Sequence, residues 1–213
     1  MSYKESQDEC LEYVRLNSPD VRRRLKVFLN QAVKKFLDIR YWEKCLYTQD
    51  LTINGSGSYD LSTSLTPAIY KFKNLYVKDN TTTFTDNSGL TETWTNVGIQ
   101  NYNRASDKTR IYAIEKDILY VNGTGFDVTV EYLSAGTGYP MSADADDPAV
   151  LQNYAEILEK WACVLFFRYW GDLDIFQYEN QELQDLLRLK KRDEAREAKR
   201  GRMVRVSSHA RVI

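Results

Sequence analysis

A chain of 213 residues with 43% hydrophobic and 28% charged side chains is long enough to bury a substantial core, as one domain or two small ones. The formal net charge of −1 is unevenly spread: Arg188–Ile213 holds ten Lys/Arg against three Asp/Glu, a net +7, while the other 187 residues carry 19 against 27, a net −8. An acidic body of this kind repels polyanions over most of its surface, whereas its basic end suits an acidic partner.

Cys10, Cys45 and Cys163 are far apart in sequence, odd in number and without a CxxC spacing, which argues against a disulfide framework or a zinc site and for a reducing compartment. The opening "MSYKESQDECLEY" is too polar for a signal peptide, and "WACVLFFRYW" is too short, and interrupted by Arg168, to span a bilayer. A soluble protein made inside the cell, with no membrane partner, is the expectation. Asn54, Asn80 and Asn122 head Asn-x-Ser/Thr triplets, which in that setting read as turn chemistry.

A short helix is predicted over about Lys4–Arg15, and a stronger one follows. Ser18, Pro19 and Asp20 form a start signal, and Val21, Leu25, Phe28, Leu29, Ala32, Val33 and Phe36 recur at three- and four-residue steps opposite Arg22, Arg23, Lys26, Lys34 and Lys35. From about Lys44 to Ser134 the composition turns to Thr, Tyr and Val, with turn signals at Asn54-Gly55, Asp86–Gly89 and Asn122-Gly123. "DILYV" and "FDVTVEYL" around "NGTG" read as a hairpin. In its second arm Phe126, Val128, Val130 and Tyr132 face inward, and Asp127, Thr129 and Glu131 face water.

After the loop "SAGTGYPMSADADD", Asp147 and Pro148 open a helix with Leu151, Tyr154, Leu158, Trp161 and Leu165 on one side. A last helix runs from about Leu173 to Arg200, striped by Phe176, Leu183, Leu186 and Leu187, and Gly201 is a natural stop. Beyond it Val204, Val206, Ser208, Ala210 and Val212 alternate with Arg205, Ser207, His209 and Arg211, the period of an extended strand. Thirteen extended residues reach about 43 Å, enough to leave the parent subunit and complete another sheet's edge. The fold class is therefore α+β: a helical platform built from N- and C-terminal helices, an inserted, mostly antiparallel β region, and an extended C-terminal tail. Its segments are residues 1–45, the β-rich insertion 46–134, the closing helices 148–200 and the basic tail 201–213.

Little of this carries catalytic chemistry. His209 is the only histidine and lies in the tail, so no held Ser-His-Asp or Cys-His arrangement is expected. Asp144, Asp146 and Asp147 are spaced faintly like a calcium loop but lack its glycine and closing glutamate, and helix capping accounts for them better. "GSGS" at Gly55–Ser58 precedes neither a helix nor a Gly-Lys-Ser/Thr, which argues against a phosphate cradle. No cofactor, metal or catalytic residue is expected. Fifteen Tyr and four Trp suit either protein interfaces or half-exposed strands.

The order of elements resembles the adaptor, or head-completion, proteins that link a phage portal to its tail, especially in short-tailed phages. "VRRRLKVFLNQAVKKFLDIRYW" is similar to their opening helix, "SYDLSTSLTPAIYKFKNLYV" to a turn leading into a strand, and "DPAVLQNYAEILEKWACVLFFRYWGD" with "YENQELQDLLRLKKRDEAR" to their paired closing helices. The resemblance implies a structural virion protein at the head-tail junction, assembled in the host cytoplasm, and not an enzyme. It implies a homo-oligomeric ring, usually of twelve copies, bound to the portal protein on one side and to a downstream tail or nozzle protein on the other. DNA would pass through the lumen without sequence readout. The tail residues expected to dock on the portal are Arg202, Val204, Arg205, Val206, His209, Arg211 and Val212. The competing readings are a cell-wall (peptidoglycan) hydrolase using two carboxylates, since some such adaptors are associated with lysis, and a nucleic-acid binder led by the basic tail. The tail lacks the aromatic residues that base stacking would need.

Overall fold

Ser2 opens the first helix with a reciprocal cap. Its hydroxyl accepts from the Glu5 N–H at 3.3 Å and the Glu5 carboxylate accepts from the Ser2 N–H at 2.7 Å, so α1 runs over Tyr3–Val14. The computed structural model describes residues 2–53, 57–78, 92–93, 95–106, 111–121 and 126–209. The chain forms two compact units. One comprises Met1–Asp38, Pro140–Asp147 and Leu151–Ile213, and the other Ile39–Tyr139 with Pro148–Val150.

In the first unit, α2 (Pro19–Ile39) starts where its signal predicts, with the Ser18 hydroxyl accepting from the Val21 N–H at 3.3 Å. Its buried stripe contains every apolar position expected from the spacing, with Leu37 added. The loop 140–147 closes the open end of α1: the Asp146 and Asp144 carbonyls accept from the Tyr3 and Lys4 N–H groups at 2.7 and 3.1 Å. The acidic side chains of that loop are used locally. Asp144 pairs with Lys26 at 2.9 Å, and Asp146 accepts from the Ser142 and Ala143 N–H groups. Asn30 ties the loop to α2, its amide donating to the Met141 carbonyl at 3.0 Å and accepting from the Met141 N–H at 2.9 Å.

Two long helices complete this unit. The first, spanning Ala149–Trp170 and one residue later in starting than the Asp147-Pro148 signal suggests, kinks at Tyr154; the second spans Leu173–His209. Two short helices of the other unit, α3 (Leu61–Ser64) and α4 (Ile99–Arg104), come before them in the chain, so the long pair is α5 and α6. The expected stripes are buried at Leu151, Tyr154 and Leu158 on α5 and at Leu183 and Leu187 on α6. The α6 stripe also buries two carboxylates, Glu179 and Glu194, the latter accepting a hydrogen bond from the Tyr154 hydroxyl.

One expectation is overturned here: α6 passes through Gly201 and continues to His209, so Arg202–His209 are helical and not an extended strand. A glycine inside a helix costs only about 1 kcal/mol against alanine, too little to end a helix already propagating through good formers.

The second unit is built on two four-stranded sheets. Its strands are β1 (Leu46–Ile53), β2 (Gly57–Asp60), β3 (Lys71–Lys78), β4 (Glu92–Thr93), β5 (Thr95–Asn96), β6 (Ile111–Glu115), β7 (Ile118–Val121) and β8 (Phe126–Leu133). One sheet has the order β1-β8-β3-β4 and the other β2-β7-β6-β5. Among the described residues, all pairings are antiparallel except β5 with β6. Val128, Val130 and Tyr132 of β8 are fully buried, as their alternation predicts, and join Ile53, Leu75, Leu119, Val121 and the α3 residue Leu61 in one core.

The expected β7–β8 hairpin is not formed. β8 pairs with β1 and β3, while β7 turns back on β6 through Lys116 and Asp117, both at positive φ (48° and 66°). That is the backbone of a two-residue hairpin turn made without asparagine or glycine. The turn signals at Asn54-Gly55, Asp86–Gly89 and Asn122-Gly123 lie outside the described residues. Asp60 caps α3, its carboxylate accepting from the Ser62 N–H at 2.9 Å and the Ser62 hydroxyl at 2.6 Å, and these bonds hold its pKa below the usual value.

Candidate interaction surfaces

Within the helical unit, three helices present side chains at three- and four-residue spacings to a common groove of about 690 Å³. Helix α1 contributes Glu9, Cys10 and Tyr13; α5 contributes Glu156, Glu159, Lys160 and Cys163; α6 contributes Glu182, Asp185, Leu186 and Leu189. The single lysine among these is already neutralised. Lys160 forms ion pairs with Glu179 and Glu182 and donates to the Tyr13 hydroxyl at 3.0 Å, while that hydroxyl donates to Glu179. Burial raises the Glu159 carboxyl above its ordinary range, and the neighbouring Glu9 and Glu156 push it the same way. The Cys10 thiol is pushed up by a hydrogen bond with the Cys163 thiol and by burial, which favours the inert protonated form. The result is a groove with a mixed acidic and apolar lining, suited to basic polypeptide.

A second surface lies where α2 meets the end of α5. Asp20, Arg23, Arg24 and Val27 face Tyr169 and Trp170 there. Tyr169 packs against Phe28 at 5.9 Å, Trp170 stacks on Phe166 at 5.1 Å, and the Arg24 guanidinium sits 4.7 Å from the Tyr169 ring centre. Tyr169 and Trp170 nevertheless remain 53% and 55% exposed, and Leu173 at the start of α6 is 62% exposed. Among the tyrosines, Tyr112 and Tyr132 are buried in the sheet core, whereas Tyr169 and Tyr178 stand out from helices.

Of the residues expected to dock, Arg202, Val204, Arg205, Val206 and His209 lie on the last turns of α6, and Arg211 and Val212 lie outside the described residues. The strand periodicity therefore does not describe the backbone of Arg202–His209. Sequence reasoning missed Lys160 and Glu179 altogether. Their only signal is a lysine and a glutamate at positions where helical spacing brings them onto the stripes of α5 and α6. Among the described residues no group of three or more His, Cys, Asp or Glu is placed to hold a metal ion, and no helix is long and apolar enough to cross a membrane.

A family model described as SU10 adaptor protein matches residues 1–207. No curated protein matches the chain. A match over nearly the whole chain places it in that family: the chain belongs to the SU10 adaptor protein family, whose members are structural phage adaptors.

Proposed function

We propose that this chain is a subunit of a ring that joins the portal vertex of a phage capsid to the tail, a virion component with a structural and not a catalytic role. The basic C-terminal segment, from Arg202 onward, docks on the portal, and the opposite side of the ring receives the next tail component. DNA passes through the lumen without being read, in keeping with the net −8 of the body.

The match of residues 1–207 to the adaptor family carries this reading. The shape of α6 supports the docking role: its 37 residues extend about 55 Å, enough to hold the basic end well away from the acidic helices that begin it. Deleting Gly201–Ile213 tests it. The truncated chain is expected to remain folded, since every core residue among the described ones precedes Gly201, and to lose binding to portal-bearing particles in co-sedimentation. Normal incorporation of the truncated chain would remove the docking role.

A further inference from the structure

The two surfaces of the helical unit are complementary. The groove between α1, α5 and α6 is lined by the exposed Glu9 and Glu156, the half-buried Leu186 and the 46% exposed Leu189. Its one lysine is committed to Glu179 and Glu182, so the groove keeps its negative charge. Burial is the main cause of the raised Glu159, and Glu9 and Glu156 add to it as like charges close to the same carboxyl.

The surface at α2 and α5 has the opposite character. Arg23 leaves 81% of its side chain in water, 3.8 Å from the still more exposed Asp20. Arg24 lies on Tyr169, and Tyr169 and Trp170 project beside them, so the arginines outnumber the single carboxylate. Tryptophan, tyrosine and arginine are the side chains that most often anchor protein interfaces, through large apolar area joined to a charge or a donor.

We propose that the groove is a socket for the Arg23, Arg24, Tyr169 and Trp170 surface of a second copy of this chain. The proposal rests on the ring reading above and names the contact that builds the ring. Trp170 of one copy covers Leu186 and Leu189 of the next, and the two arginines face Glu9 and Glu156. The groove and the projecting surface share no residue, so each copy offers both a socket and a projection, and a socket-to-projection contact repeated in one sense is heterologous. Such a contact propagates head to tail and closes into a ring when its rotation permits.

The test is a charge exchange, read by electron microscopy and co-sedimentation of the full chain with portal-bearing particles. Arg23→Glu with Arg24→Glu, and separately Glu9→Lys with Glu156→Lys, are each expected to reduce ring assembly at least about tenfold, since like charges then face each other. All four positions are at the surface, so thermal melting followed by circular dichroism should be unchanged. Combining all four substitutions in one chain restores opposite charges at every contact and should recover most of the assembly. Trp170→Ala should weaken assembly about thirtyfold or more without recovery in any charge variant.

Assembly unaffected by either pair, or lost in both pairs and not recovered in the combination, overturns this contact while leaving the ring reading intact. A wild-type chain that forms no ring on portal-bearing particles overturns the ring reading, and this contact with it.

Discussion

Lys160 on α5 is ion-paired to Glu179 on α6 with both side chains largely removed from water, at 13% and 5% exposure. Separately, either charge would be costly at its position; together, and with the Tyr13 hydroxyl donating to Glu179, they fix how α1, α5 and α6 meet. Removing one partner leaves the other buried without its counter-ion. Lys160→Met is therefore expected to destabilise the chain by about 3–5 kcal/mol, measured by urea unfolding. Glu179→Gln, which keeps the shape and an acceptor but removes the charge, should cost less. A loss under about 1 kcal/mol for Lys160→Met would mean that the pair contributes no more than an exposed one.

The same cluster sets a pH profile. Burial acts to lower the Lys160 pKa, but hydrogen bonds to Glu179, Glu182 and Tyr13 outweigh it, and the ammonium titrates above its ordinary 10.5. Glu182 titrates below its ordinary 4.5, because it accepts hydrogen bonds from Lys160 and Tyr178. A basic group with a raised folded pKa contributes stability that is complete below its unfolded value and lost as pH rises through the folded one. A carboxylate with a depressed folded pKa contributes stability that is complete above its unfolded value and lost as pH falls through the folded one. The stability gap between wild type and Lys160→Met should then be constant from about pH 5 to about pH 10 and narrow on both sides. Unfolding midpoints across that range measure it, and a gap unchanged at both extremes would exclude the cluster as its source.

Asn30 makes a different kind of prediction, because it holds a loop and not a charge. Its amide donates to the carbonyls of Lys26 and Met141 and to the Tyr3 hydroxyl, and its oxygen accepts from the Met141 N–H. Asn30→Ala takes both partners from the Met141 backbone and should cost about 1–3 kcal/mol. Hydrogen exchange should show protection lost in residues 140–147 and at the first turn of α1, where Tyr3 and Lys4 donate to that loop. Protection lost evenly over the chain would point to a general destabilisation instead.

These cases also mark what the sequence shows and what it hides. Helix α2 was legible because its cap and its stripe are local, spaced along a single element. The inward face of β8 was legible for the same reason, its alternation being a property of one strand. Pairing between elements is not written in one stretch. The strong turn signal at Asn122-Gly123 suggests a hairpin of β7 with β8, yet those strands belong to different sheets. Buried Glu179 and Glu194 look like exposed charges until Lys160, Tyr13 and Tyr154 are brought to them from other helices. The alternation failed over Val204–His209 because a short pattern competed with helix propagation, which adds a hydrogen bond for each residue fixed.

The hairpin that does form carries the last prediction. Lys116 and Asp117 both adopt positive φ between β6 and β7, a conformation that costs lysine about 1–2 kcal/mol, aspartate and asparagine less, and glycine almost nothing. The turn is held by the register of Glu115 with Ile118 and of Ile114 with Leu119, and by the Asp117 carbonyl accepting from the Leu61 N–H at 2.8 Å. None of these bonds uses the side chains of Lys116 or Asp117, so replacing the pair by Asn-Gly should leave them intact while relieving the backbone. The double substitution Lys116→Asn, Asp117→Gly is expected to raise stability by about 1 kcal/mol, seen as a higher urea midpoint with an unchanged slope. Asp117→Val should act in the opposite sense, because a branched side chain tolerates positive φ least. A stabilising effect of valine, or a destabilising effect of the Asn-Gly pair, would contradict this turn geometry.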